Sequence, residues 1–102
     1  MGIVEIGLPK LSEEQILSLM EVGEEAAKEH IFSKVPPKKV RDVDVSITME
    51  TGDLLTITVD VGINLAPTVK MDPEALAREA AEKAFEAIEE KMRELALAGQ
   101  GA

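Results

Sequence analysis

Val43-Asp44-Val45-Ser46-Ile47-Thr48-Met49 and Leu55-Thr56-Ile57-Thr58-Val59-Asp60-Val61 alternate apolar and polar residues without a break, on either side of Thr51-Gly52-Asp53. Val, Ile, Leu and Met hold the odd positions while Asp, Ser and Thr hold the even ones, the period of strands buried on one side only. The two runs predict an antiparallel hairpin with a single apolar face. The odd positions of both strands share that face only if the loop between them holds an odd number of residues. A three-residue turn through Thr51, Gly52 and Asp53 meets the condition, and it sets Met49 opposite Leu55, Ile47 opposite Ile57 and Val45 opposite Val59. The second strand runs on through Gly62-Ile63-Asn64-Leu65 and stops at Pro67.

A one-faced sheet needs one covering layer, and a helical segment lies on each side of the hairpin. The first starts at Ser12, whose hydroxyl can cap the amide of Gln15 while Gln15 reaches back, with Leu11 and Ile16 at the staple positions. Ile16, Leu19, Met20, Gly23, Ala26, Ala27, His30 and Ile31 then recur at helical spacing, and the helix is expected to end near Ser33. Lys34-Val35-Pro36-Pro37-Lys38-Lys39-Val40-Arg41 cannot continue it, because each proline lacks an amide hydrogen and holds the preceding residue extended. It reads as an ordered connector.

The second helix opens with Asp72 as N-cap and Pro73 in the first turn. Its stripe is Ala77, Ala80, Ala81, Ala84, Phe85, Ile88, Met92 and Leu95. Glu74 with Arg78, Glu79 with Lys83 and Glu89 with Arg93 are spaced for ion pairs worth about 0.2–0.5 kcal/mol each. The expected fold is α/β of the two-layer α+β kind: an antiparallel hairpin sheet covered on one face by two helices, in the order α-β-β-α. Between Ile3 and Leu8, Val4, Ile6 and Leu8 alternate with Glu5 and Gly7, which leaves β-α-β-β-α open. Residues 1–98 read as one domain and 99–102 as a frayed tail.

At 102 residues the chain has room for one core. Cysteine is absent, which removes disulfides and thiolate chemistry and suits a reducing compartment. The first residues lack a basic and apolar leader, and no apolar run approaches the ~18 residues of a membrane span. A soluble, cytoplasmic protein is expected. Glu, Lys and Ala are abundant and Asn occurs once, a composition leaning toward a heat-adapted source. The net charge of -9 opposes nonspecific attraction to phosphate backbones, and Phe32 and Phe85 are the whole aromatic complement, too few for base-stacking platforms.

No catalytic motif appears. His30, the one histidine, has no neighbouring ligand in the sequence and reads as a structural residue near a helix C-terminus. Asp44 and Asp60 would face each other in the register above, an unfavourable opposition that reads as two solvated carboxylates rather than a metal or acid-base pair. No metal and no cofactor is expected. Ser46, Thr48, Thr56 and Thr58 have no adjacent base and read as strand formers. Lys34, Lys38, Lys39 and Arg41 place four of the eleven basic residues within eight positions, a solvated loop or a contact for RNA or an acidic partner. A two-stranded sheet is marginal by itself and its unpaired borders invite another strand, so dimerisation is expected.

Lys28-Glu29-His30, then Val35-Pro36, Asp42-Val43-Asp44, the run Leu55 to Val61 and an alanine-bearing last helix together resemble the Pcc-type small subunits of the archaeal KEOPS complex, most of all their archaeal paralogue branch, formerly a small archaeal family of unknown function. The resemblance spans Leu11 to Leu95. It implies a noncatalytic subunit that dimerises through its strands, with itself or a paralogous small subunit, and docks its helices on the catalytic subunit of a complex that makes threonylcarbamoyl adenosine in tRNA. By position it implies that Ser46, Thr48, Thr56, Thr58 and Asp60 line the pairing surface and that Ala80, Ala84, Ile88 and Met92 line the docking helix. The acidity of the chain suits capping or limiting the assembly, with tRNA touched only indirectly. The alternative is a small RNA-binding module that uses the basic connector.

Overall fold

A computed structural model describes residues 2–6, 11–51 and 55–100. In chain order the elements are β1 (Gly2–Ile6), α1 (Glu13–Lys34), a 3-10 turn (Pro37–Lys39), β2 (Val40–Thr51), β3 (Leu55–Leu65) and α2 (Pro73–Gln100). The helix starts follow from local chemistry. The Gln15 amide donates to Ser12 Oγ at 3.1 Å and the Ser12 amide donates to Gln15 Oε1 at 2.9 Å, the reciprocal pair read from the sequence. At α2, the Glu74 amide donates to Asp72 Oδ1 at 3.0 Å, and Pro73 stands first in the helix, where its missing amide hydrogen costs nothing. Helix α1 gives way to extended backbone at Val35, ahead of Pro36, and α2 continues past Ala98 to Gln100. Residues 101 and 102 lie outside the described part.

The hairpin and the covering helices are as expected, and a third strand joins them. The sheet order is β1-β3-β2, antiparallel throughout, with β1 described over Gly2–Ile6; the alternation suggested Ile3 to Leu8, of which residues 7 and 8 lie outside the described part. Strand β3 is therefore central along Leu55–Val59, where β1 occupies the border that the hairpin alone would leave open.

The expected hairpin register is corrected by two residues. Met49 stands opposite Ile57, Ile47 opposite Val59 and Val45 opposite Val61, with Thr51 closing the ladder on Leu55. The connection is thus residues 52–54, outside the described part, in place of 51–53. Alternation cannot distinguish the two registers, because a shift of two leaves every side chain on the same face. Electrostatics can: the observed register puts Asp44 opposite Gly62 and Asp60 opposite Ser46, so that no carboxylate faces another across the ladder.

Both helices lie on the odd face. Leu19, Ala27 and Ile31 of α1, Ile47 of β2, Leu55, Ile57 and Val59 of β3, and Leu76, Ala80, Ala81, Ala84, Ile88 and Met92 of α2 form the core, with Val35 of the connector sealing one end. Full burial of a side chain such as Ile57 or Ile88 contributes about 1.5–3 kcal/mol. The layers meet closely at Gly23, where an added Cβ would fall 2.8 Å from the Cδ1 atoms of both Ile47 and Ile88. Cover is complete over Leu55, Ile57 and Val59 and thins beyond them, since Val61, Ile63 and Leu65 are only half-buried.

Candidate interaction site

Three surfaces carry the residues singled out in the sequence. The first is the even face of the sheet. Ser46 lies across from Asp60, Thr48 from Thr58 and Glu50 from Thr56, which gathers the whole predicted pairing set on one face. Ser46, Thr48 and Asp60 are exposed, and Thr56 and Thr58 are half-buried. Beside this face runs the outer border of β2, twelve residues without a strand neighbour among the described residues. Its charges sit near the ends, at Arg41, Asp42, Asp44 and Glu50, leaving Val45 to Met49 uncharged. Strand β3 likewise has no partner on its β1 side from Asp60 to Leu65, among the described residues. The Asp44–Asp60 pair does not form, because the register separates them.

The second surface is the helical layer, and here the expected docking set is corrected. Ala80, Ala84, Ile88 and Met92 are buried in the chain's own core, at 0%, 0%, 1% and 6% exposure, and are not free to meet a partner. The stripe covers the sheet and α1, because four small or aliphatic residues at this spacing serve intramolecular packing as well as they would a partner. What the helices turn outward is a shallow groove lined by Ala26, His30, Ser33, Lys83, Ala87 and Glu90. His30 Nε2 lies 3.0 Å from Glu79 Oε1 across the helix pair, and Ser33 Oγ donates to the His30 carbonyl at 2.7 Å. Of the three ion pairs expected along α2, Glu89–Arg93 is present at 4.0 Å. Lys83 pairs instead with Glu86 at 3.4 Å, and Glu79 is taken by His30. The His30–Glu79 pair spans 49 residues of sequence and has no local signal.

The third surface is the end of the molecule where α1, the 3-10 turn, the start of β2 and the β3–α2 loop converge. Lys34, Lys38, Lys39 and Arg41 are all exposed there. Arg41 stands at the irregularity in β2 between Val40 and Asp42. The Ala66 amide donates to the Lys39 carbonyl at 2.9 Å and the Val69 amide to Ala66 at 3.0 Å, which ties the loop bearing Lys70 to the connector. Sequence reading found four of these cations and missed Lys70, which stands 29 positions beyond Arg41. Among the described residues no three His, Asp or Glu side chains converge as a metal site would need, and no helix is long and apolar enough to cross a membrane.

Residues 8–91 match the model of a family described as a protein of unknown function, DUF3194, and the chain belongs to that family. An uncharacterised protein of Thermococcus kodakarensis is 38% identical over 96% of this chain and 91% of its own length, and one of Pyrococcus furiosus is 36% identical over 91% and 84%. Relatives are archaeal and include proteins of thermophiles. A crystal structure of a Thermococcus onnurineus protein superposes with a TM-score of 0.77 at 32% identity, covering 95% of this chain and 94% of the other. The solution structure of a hypothetical protein from Methanothermobacter thermautotrophicus has the same fold, with a TM-score of 0.71 at 22% identity over 83% and 92%.

Proposed function

We propose that this DUF3194 protein is a noncatalytic assembly subunit. It pairs through the open borders of its sheet with a second small subunit, itself or a paralogue, and so regulates assembly of the KEOPS tRNA-modifying complex around its catalytic subunit. The observation that carries the reading is the outer border of β2, whose uncharged centre from Val45 to Met49 leaves backbone donors and acceptors ready for another strand. The apolar residues on the other face of the same strands are only half-covered at Val43, Val45, Val61 and Ile63, so a partner strand gains apolar contact as well as backbone hydrogen bonds. The resemblance to Pcc-type subunits supplies the identity of the complex.

Affinity purification of the tagged chain from an archaeal host tests this reading. The expected result is co-purification of a Pcc-type small subunit together with the catalytic subunit. Recovery of the chain alone, or with unrelated proteins only, counts against it.

A further inference from the structure

We propose that the end of the molecule bearing Lys34, Lys38, Lys39, Arg41 and Lys70 is a binding surface for the phosphate backbone of a folded RNA. The chain as a whole is acidic, but residues 34–41 carry four cations and no carboxylate. All five side chains are exposed. Among the described residues none of them has a carboxylate within 4.0 Å, whereas Lys28, Lys83, Lys91 and Arg93 each pair with a glutamate. Cations left unpaired on so acidic a chain are available to an anion from outside.

Their backbone is held firm. The Lys39 amide donates to the Pro36 carbonyl at 2.9 Å, Val35 is buried at 2% exposure, and the Ala66 bond to Lys39 fixes the second segment against the first. The acids next to these cations in sequence are Asp42, Asp44, Asp72 and Glu74, and among the described residues none of them pairs with the five. The molecule is 52 Å long, several times the Debye length of about 8 Å at physiological salt, so the glutamates along the far parts of the helices are screened from this end. Net charge therefore does not govern contact here; local charge does.

The chemistry favours phosphate over an acidic protein. Four of the five cations are lysines, a residue depleted in protein interfaces, and the apolar surface exposed among them is Pro36, Pro37 and Met71, with no aromatic side chain to anchor a protein partner. Lysine and arginine on an exposed, sequence-neutral surface suit phosphate contacts that position rather than specify. The choice of RNA over DNA rests on the function proposed above, and the phosphate assignment stands without it.

The test measures binding of a transfer RNA transcript, a DNA duplex and polyglutamate to the full chain across a salt series, with the mass of the protein read on the same samples. A five-site variant (Lys34→Gln, Lys38→Gln, Lys39→Gln, Arg41→Gln, Lys70→Gln) is compared with a control (Lys28→Gln, Lys83→Gln, Lys91→Gln), both verified as folded by circular dichroism. The proposal predicts transfer RNA binding that weakens with salt, at least a tenfold loss in the five-site variant at about 50 mM salt, a log–log salt slope shallower by about 2 or more, and no change in the control. Absence of RNA binding by the wild type, equal binding by the five-site variant, an equal loss in the control, or tighter binding of polyglutamate overturns it. Preference for the duplex overturns the RNA assignment while leaving the phosphate surface. The mass readout reports separately on self-association, so failure of one reading is not mistaken for failure of the other.

Discussion

Gly23 sits where three elements meet, and its lack of a side chain lets α1 approach both β2 and α2. Gly23→Val would drive two methyl groups toward Ile47 and Ile88, which are themselves packed on all sides. The expected cost is about 1–3 kcal/mol from overpacking, read as a lower urea midpoint. Gly62→Ala is the comparison: its Cβ would meet Asp44 Cβ at an ordinary 3.9 Å, and a change within about 0.5 kcal/mol is expected. At this scale the sequence was legible in part. Helical spacing identified Leu19, Gly23, Ala27 and Ile31 as one stripe, but not the close approach at Gly23, because spacing gives the face a residue occupies and not the distance to what lies opposite. His30 with Glu79 escaped entirely, since each residue alone has an unremarkable neighbourhood.

Elements were legible wherever their determinants are local. Ser12 with Gln15 and Asp72 with Pro73 fix the helix starts by bonds that span two or three residues, and both are where the sequence puts them. Ser12→Ala therefore costs about 0.5–2 kcal/mol, measurable by thermal or urea unfolding. A loss under about 0.2 kcal/mol would mean that the cap contributes nothing in this context. From alternation the hairpin register was legible only to parity, with the Asp44–Asp60 opposition the one cue against the expected pairing, and β1 only as an open possibility, because its partner strand is distant in sequence. The proposed association runs through the border of β2. Ser46→Lys with Thr48→Lys places charge in its uncharged centre and is expected to lower association at least tenfold while the far-ultraviolet spectrum stays unchanged. Unaltered association would move the interface away from this strand.

At the scale of the whole molecule, the sequence revealed the layers but misassigned one surface. Ala80, Ala84, Ile88 and Met92 look alike whether they cover the chain's own sheet or a partner, and only the three-dimensional packing assigns them to the core. The basic end was visible as Lys34 to Arg41, while its fifth member, Lys70, arrives through a loop that the sequence alone does not bring close. What remains for a partner is a sheet whose border and apolar margin are unfinished. The proposed assembly requires that this border be used. Sedimentation equilibrium of the purified chain, alone and mixed with a Pcc-type small subunit, measures this most directly. A two-chain species, with itself or with the added subunit, is predicted; single-copy particles throughout, at high concentration and in the mixture alike, would contradict it.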